Sequence, residues 1–170
     1  MTHTANQTRD GQNVSKMRFG LQVRALVRDP SKLPEHLQSC IEIIQGDVTN
    51  SADVQQTVEG QDAVIVTLGT HNDLGPTTVL SDGMKNIIAA MKENKIEYVS
   101  VCLSAFLFYE PEKVPARFHD LNADHQRMLD CLTASGLKWV AVLPPHLTGQ
   151  SDVSYYENTW NSSHSKNVLI

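Results

Sequence analysis

Three side chains that can bind a phosphate lie together where a predicted strand ends. In "VRALVRDPSKLP", residues 23–34, Arg28 closes the apolar run and is followed by Ser31 and Lys32. Arginine offers a planar fork of N–H donors, serine a hydroxyl and lysine a second positive charge. The grouping predicts a site for a phosphorylated ligand such as a nucleotide, and the alternative is a solvated surface arginine.

Two other patterns that could support chemistry do not hold up. Tyr109 and Lys113 have the spacing at which an ammonium one helical turn away lowers the pKa of a phenol, but Pro111 lies between them and prevents that helix. The 7 histidines show no HxH or HxxxH spacing, so no metal site is predicted. The 3 cysteines lack CxxC spacing, which is typical of a reducing compartment.

Composition restricts the class of protein. With 170 residues, 41% of them hydrophobic, the chain is expected to form one domain with a substantial core. A net charge of −5 argues against nucleic-acid and membrane-surface partners. No apolar run approaches the roughly 20 residues of a membrane span, and the first residues lack the apolar core of a signal peptide. We therefore expect a soluble, cytoplasmic monomer.

The elements that must position Arg28 follow from hydrophobic periodicity. Strands are predicted at residues 21–27, 40–46, 62–69, 98–104 and 138–145, with a short helix after the first strand and helices at residues 51–58, 77–94 and 117–135. The second of these long helices is the clearest, because its apolar residues fall on one face of a 3.6-residue period: Leu80, Met84, Ile87, Ile88 and Met91. The nearly all-apolar segment at residues 62–69 suggests a strand buried on both faces.

Strands alternating with helices predict an α/β fold with a doubly wound, Rossmann-like parallel sheet. Ligands of such sheets bind beyond the carboxyl ends of the strands, which places Arg28 at the binding rim. We assign residues 18–146 to this domain. Residues 1–17 are polar and are expected to be disordered, and residues 147–170 form a tail that breaks the pattern.

Several motifs in order resemble one family of reductases. They are "LVRDPSKLP", "GDVTNSADVQQTVEGQDAVIVTLGTHNDLGPTT", "VCLSAFL", "KVPARF", "DHQRML" and "SGLKWVAVLPPH". Together they resemble the NADPH-dependent flavin reductases, also called biliverdin reductases B, in the NmrA-like branch of the short-chain dehydrogenase superfamily. The resemblance covers about three-quarters of the chain and implies NADPH as cofactor, with a flavin or biliverdin as substrate.

Both ends depart from that family. Its members open with a strand and a GxTGxTG-like turn, whose backbone N–H groups hold a pyrophosphate. Here the glycines before Arg28 are Gly11 and Gly20, and they do not form the motif. The first strand of the 3-2-1-4-5-6 order lies in the centre of the sheet, so we expect a vacancy there and marginal stability. The ends look exchanged, as in an alternative splice product or an error in the gene model.

The resemblance assigns cofactor contacts to several residues. Arg28, with Ser31 and Lys32, would hold the 2′-phosphate of NADPH, since a cation takes the place of the carboxylate that binds the NAD ribose. Asp47 and Val48 would contact adenine, although Asp47 also suits a turn or helix N-cap. The remaining assignments are the nicotinamide ribose path and the rim: Leu68, Gly69, His71 (where relatives can have arginine) and Pro144.

The resemblance also implies catalytic-side residues. Ser104 takes the position of the family's active-site serine, where its hydroxyl would bind nicotinamide or the substrate's polar edge. Cys102 points to the same side, with an inert buried thiol as the alternative. His125 and His146 could bind acceptor or relay protons, and His125 suits a structural role equally well.

Two functions of different class follow. The first is an NADPH-dependent reductase that transfers hydride to FMN, riboflavin or biliverdin, with flavin as substrate and not as a tightly bound cofactor. The second is a non-catalytic chain with impaired dinucleotide binding that acts, if at all, through protein association, because the pyrophosphate-binding turn is missing.

Overall fold

The computed structural model describes residues 22–71 and 73–144. Five strands and four α-helices alternate along this part of the chain: β1 (Arg24–Val27), α1 (Glu35–Gln38), β2 (Glu42–Gln45), α2 (Ser51–Val58), β3 (Ala63–Val66), α3 (Val79–Glu93), β4 (Tyr98–Cys102), α4 (His119–Thr133) and β5 (Lys138–Val142). The predicted segments 1–17 and 147–170, and His146, lie outside the described residues. The predicted Rossmann-like fold of parallel strands and helices is confirmed.

The strands form two parallel sheets. β1 pairs with β2, and β3, β4 and β5 pair in that order. These are the pairings that the 3-2-1-4-5-6 order retains when its central first strand is removed. Within residues 22–71 and 73–144, β1 and β3 are therefore each paired on one side only. The two edges that a central strand would join have no partner there.

Helix α2 connects the two sheets. It packs against β1 and β2 and also against α3, and Leu26 of β1 lies against the main core. Arg24 strengthens this contact, because its Nη1 donates to the carbonyl oxygen of Glu59 at 2.7 Å, just beyond the C-terminus of α2. A guanidinium at a helix C-terminus satisfies otherwise unpaired carbonyls and interacts favourably with the helix dipole. These contacts with α2 fix the position of β1 and of Arg28, which directly follows it.

The core lies between α2, α3 and α4 and one face of the β3–β5 sheet. The predicted inward face of α3 is confirmed, since Leu80, Met84 and Met91 are almost completely buried. From α4, Met128 and Leu132 are fully buried. α4 ends before Gly136, whose φ of 73° is in the left-handed region that glycine adopts without strain. No helix of the described residues is long and apolar enough to cross a membrane.

The opposite face of the β3–β5 sheet is much more exposed. Ile65 of β3 is 77% exposed, whereas its neighbour Val66, which points to the other face, is 3% exposed. Val140 and Val142 share the face of Ile65 by strand register and are only half-buried. The prediction that the strand at residues 62–69 is buried on both faces is thus wrong within the described residues. An apolar sequence does not specify which parts of the chain cover each face.

Substitution at these two neighbours tests the asymmetry. Threonine keeps the β-branched shape at both positions and adds a hydroxyl. We expect Val66→Thr to lower the free energy of unfolding by about 1–3 kcal/mol, because it buries an unpaired hydroxyl. We expect Ile65→Thr to change it by less than about 0.5 kcal/mol, as for an ordinary surface position. Urea denaturation of both variants measures the difference. An equal loss in the two variants would show that Ile65 is buried in the folded protein.

Candidate functional site

The turn that follows β1 places several polar groups at the rim. Arg28 comes directly after the strand, and residues Pro30–Lys32 form one 3₁₀ turn. Asp29 is the N-cap of that turn: its Oδ1 accepts from the N–H of Ser31 at 3.1 Å and from the Ser31 hydroxyl at 2.6 Å. These hydrogen bonds hold the pKa of the Asp29 carboxyl below its usual value. Proline at the first position of the turn fixes φ where a helix needs it.

A cavity of about 520 Å³ opens beside this turn. It is lined by Val27, Arg28, Asp29, Lys32, Leu33 and His71. Three of the predicted cofactor residues, Arg28, Lys32 and His71, are thus brought together, because they follow the carboxyl ends of the strands β1 and β3. Within the described ranges the Arg28 side chain makes no hydrogen bond or ion pair, so its guanidinium is available to a ligand.

Ser31 does not line the cavity, although the sequence assigned it to the phosphate site. Its hydroxyl proton is donated to Asp29, which organises the turn. Lys32 lies farther from the same carboxylate, with Nζ 3.9 Å from Asp29 Oδ2, and its side chain is 71% exposed. Lys32 can therefore leave Asp29 and bind another anion, whereas the Ser31 hydroxyl stays hydrogen-bonded to Asp29.

Asp47 follows β2 and takes part in a turn. Its Oδ1 accepts from the N–H of Thr49 at 2.8 Å and from the Thr49 hydroxyl at 2.7 Å. These two bonds lower the pKa of the Asp47 carboxyl, with a smaller contribution from the charge of Arg28. The N-cap of α2 is Asn50 and not Asp47. The turn interpretation of Asp47 is thus confirmed, while its contact with adenine stays a prediction.

Val48 and Leu68 are fixed against α3. Both are half-buried and pack on the core. A Cβ on Gly83 of α3 would lie 2.8 Å from both Val48 methyl carbons and 3.2 Å from Leu68 Cδ1, so the helix approaches these side chains closely. The Val48 carbonyl also accepts from Asn86 Nδ2 at 2.9 Å. These positions are rigid features of the rim.

Gly69 and His71 lie in the loop after β3. A Cβ on Gly69 would meet no atom of the described structure within 4 Å, and its φ is not in the left-handed region. The fold alone therefore does not require glycine at this position, and the space above it is open. His71 has φ 52°, a left-handed conformation that is uncommon for residues other than glycine. A strained backbone at a residue that lines a cavity is typical of functional loops.

The end of β4 holds the predicted catalytic-side residues. Ser104 is the N-cap of a 3₁₀ turn, Ala105–Phe108, and its Oγ accepts from the N–H of Phe106 at 3.2 Å. The serine proton remains available for donation. Cys102 is the last residue of β4, and burial raises the pKa of its thiol. The thiol is therefore neutral at physiological pH, which favours the inert interpretation of Cys102.

His125 lies on α4, the helix that contacts the 3₁₀ turn after Ser104. Burial lowers the pKa of its imidazole, partly opposed by the charge of Asp124. Its buried Nδ1 has no hydrogen-bond partner in the described part of the chain, and neither has Oδ1 of Asn122, one turn away. The imidazole is thus neutral with an unused polar atom. Pro144 is half-buried two residues after β5.

Asp29 also lines the cavity and was not predicted as a site residue. The Asp-Pro pair at Asp29 and Pro30 is an N-cap signature that could have identified the turn. A ring cluster follows β4, where the Phe106 and Phe118 centroids are 5.0 Å apart and Arg117 lies 4.8 Å above the Phe118 ring. Tyr109 and Lys113 do not share a helix, which confirms that they are not a tyrosine–lysine pair. Within residues 22–71 and 73–144, no three His, Cys, Asp or Glu side chains could hold one metal ion.

A parallel α/β fold with an open rim, where cations converge at the end of β1, defines a Rossmann-like nucleotide-binding protein. A family model described as NAD(P)H-binding matches residues 12–167. The chain belongs to this NAD(P)H-binding family.

Solved structures agree on the fold. A Rossmann-fold NAD(P)-binding protein from Shigella flexneri is 26% identical, with a TM-score of 0.62, and the match covers 86% of this chain and 65% of that one. An anaerobilin reductase from Escherichia coli O157:H7 is 16% identical, with a TM-score of 0.59 and coverage of 72% and 60%. A Citrobacter triphenylmethane reductase complexed with NADP(H) is 17% identical, with a TM-score of 0.52 and coverage of 69% and 38%. This chain therefore spans less than two-thirds of the length of each of the three.

Proposed function

We propose that this chain is an NADPH-dependent reductase that transfers hydride to a planar acceptor such as FMN, riboflavin or biliverdin. The observation that carries the proposal is the cavity at the strand ends, into which Arg28, Lys32 and His71 converge. Membership of the NAD(P)H-binding family supports a nicotinamide dinucleotide as the ligand. Neighbours of the same fold include an enzyme complexed with NADP(H) and a reductase named for anaerobilin.

The rim residues suit the adenosine half of NADPH. Arg28 and Lys32 would bind the 2′-phosphate, which carries two negative charges that a ribose hydroxyl lacks. Thr49 uses only Oδ1 of Asp47, so the other carboxylate oxygen would accept from the adenine amino group. Open space at Gly69 would admit the nicotinamide ribose without displacing a side chain. When bound, the cofactor supplies hydride, and the protein supplies orientation and exclusion of water.

The acceptor would lie beside the end of β4. The hydroxyl of Ser104 only accepts in its hydrogen bond with the N–H of Phe106. Its proton would therefore be donated to the polar edge of the acceptor. The rings that follow offer apolar surface for a planar molecule, and Phe108 is 37% exposed. In this proposal the neutral His125 has a positioning role beside the 3₁₀ turn that follows Ser104. The Cys102 thiol contributes only to packing. The contact of His146 with the acceptor stays a prediction. The flavin or bilin is a substrate and not a resident cofactor.

One observation favours a second candidate function. β1 and β3 are each paired on one side only within the described residues, and no glycine-rich turn precedes β1 in the sequence. Backbone N–H groups of such a turn are the main anchor of a dinucleotide pyrophosphate, and without them the affinity falls. A chain of this kind would be a non-catalytic protein that acts through association with other proteins.

Two measurements on the unmodified chain decide between the candidates. NADPH and NADH are titrated by the change in their fluorescence, and oxidation of NADPH is followed with and without FMN. For the reductase we expect saturable binding, tighter for NADPH than for NADH, and FMN-dependent oxidation above the rate of FMN and NADPH without protein. Absence of saturable binding with a folded protein, verified by circular dichroism, would favour the non-catalytic candidate.

A further inference from the structure

Among the residues that the structure describes, Asp29 is the one acidic residue that lines the rim cavity. It accepts two hydrogen bonds from Ser31, at 3.1 Å from the N–H and 2.6 Å from the hydroxyl. It also lies 3.9 Å from Nζ of Lys32, in an ion pair whose members are 46% and 71% exposed. Asp29 thus both orders the turn and partly neutralises a cation beside the cavity.

These contacts change which residues of the turn are expected to bind a phosphate. A serine hydroxyl has a single proton, and that of Ser31 is donated to Asp29. Ser31 therefore cannot donate to a phosphate without breaking this bond. Arg28 and Lys32 are left as the cations of the turn, and His71 lines the same cavity.

We propose that Asp29 is a positioning and specificity-determining residue: its hydrogen bonds hold the turn, while its negative charge limits the preference of the cavity for a 2′-phosphorylated adenosine. This inference rests on the proposed function, because it concerns the same rim site. Lys32 would leave Asp29 to contact the incoming phosphate. The charge of Asp29 opposes that phosphate, whereas a ligand with a free 2′-hydroxyl feels little of it.

The two roles of Asp29 are separable by substitution. An asparagine side chain also has an oxygen that can accept from Ser31, and it is an equally good N-cap. Asp29→Asn therefore retains the turn and removes only the charge. Asp29→Ala removes the charge and both hydrogen bonds. Ser31→Ala removes the hydroxyl and leaves the charge. Asp29 and Ser31 are exposed, so all three variants are expected to fold.

The experiment compares two ligands that differ only in the 2′-phosphate, adenosine 2′,5′-bisphosphate and adenosine 5′-monophosphate, by titration calorimetry. We expect Asp29→Asn to bind the bisphosphate about threefold to tenfold more tightly than the unmodified chain, and the monophosphate equally well. High salt should reduce the gain, since the charges are exposed. Asp29→Ala should gain less than Asp29→Asn, and Ser31→Ala should leave the ratio of the two affinities unchanged.

Each contrary result has a distinct meaning. If Asp29→Asn binds the bisphosphate no more tightly than the unmodified chain, the charge of Asp29 does not set the preference and the inference fails, while the proposed function stands. If Ser31→Ala weakens binding of the bisphosphate alone, Ser31 contacts the phosphate. The claim that Arg28 and Lys32 bind the phosphate without Ser31 is then wrong. If neither the unmodified chain nor Asp29→Asn binds the bisphosphate more tightly than the monophosphate, the proposed phosphate site fails and the inference fails with it.

Discussion

Replacing Asp124 by alanine is expected to lower the free energy of unfolding by about 2–4 kcal/mol. Asp124 of α4 is completely buried. Its two carboxylate oxygens accept from the backbone N–H groups of Leu80 at 3.0 Å and Ser81 at 3.3 Å, in the first turn of α3. Arg127 Nη2 lies 3.2 Å from the same carboxylate. Alanine would leave two buried donors unpaired at a helix start that no side chain of its own N-cap residue satisfies.

Asp120 provides the matched control for this prediction. It lies one helical turn before Asp124 on the same face of α4, is exposed, and makes no hydrogen bond or ion pair within residues 22–71 and 73–144. We expect Asp120→Ala to cost less than about 1 kcal/mol, from its favourable position at the helix N-terminus. Asp124→Asn, which keeps one acceptor and loses the charge, should be intermediate. Equal losses for Asp120→Ala and Asp124→Ala in urea denaturation would contradict the prediction.

The position of Asp124 also concerns the rim. The first turn of α3 ends the loop that follows β3 and includes Gly69 and His71. By fixing that turn to α4, Asp124 fixes one end of the loop that lines the cavity. Stability and nucleotide affinity are therefore expected to fall together in Asp124→Ala, whereas substitutions at the exposed turn after β1 change affinity alone.

The helices could be predicted closely from the sequence, because each has a clear physical signature. α2 is observed at Ser51–Val58, the predicted range, and α3 and α4 differ from prediction by two residues or fewer at each end. Met84 and Met91 recur on the 3.6-residue period that predicts an amphipathic helix, and both are buried as that pattern requires. Helices are local structures, so local patterns suffice to find them.

The strands were predicted too long for the opposite reason. The apolar run at residues 62–69 forms a strand only at Ala63–Val66, and the run from residue 138 forms one only to Val142. A parallel ladder ends where the neighbouring strand ends, and that partner is not encoded in the run itself. Exposure of Ile65 has a similar origin, because the composition of one strand does not show what packs on each face.

The candidate site was predictable in its charges and less so in its hydrogen bonds. Arg28 and Lys32 could be placed at the rim from the sequence because they directly follow a predicted strand, and ligands of such sheets bind beyond the strand ends. Donation by Ser31 to Asp29 was missed, since a sequence shows that donors and acceptors are near each other but not which pairs form. Asp124 was missed for the same reason: its partners are 44 and 43 residues away.

Replacing Arg28 by glutamate is expected to weaken NADPH binding about 100-fold and NADH binding little. The guanidinium makes no hydrogen bond or ion pair within the part of the chain that the structure describes, so its loss leaves no hydrogen-bonding group of the fold unpaired. A charge-assisted, two-point contact with the 2′-phosphate is lost, and a carboxylate is placed beside that phosphate. A 100-fold change corresponds to about 2.8 kcal/mol, the scale of a strong charged contact together with a new repulsion. NADH, with a free 2′-hydroxyl, can instead donate to the new carboxylate.

Two further variants separate this effect from a general change in charge. Lys92→Glu reverses one exposed cation near the C-terminus of α3, away from the cavity, and should leave the ratio of NADPH to NADH affinities unchanged. Arg28→Lys retains the charge but not the planar fork, so it should keep part of the preference for NADPH. Both cofactors weakening equally in Arg28→Glu would mean that Arg28 does not contact the 2′-phosphate. A matching loss of preference in Lys92→Glu would attribute the effect to net charge, since only the rim position lets a single side chain distinguish the two ligands.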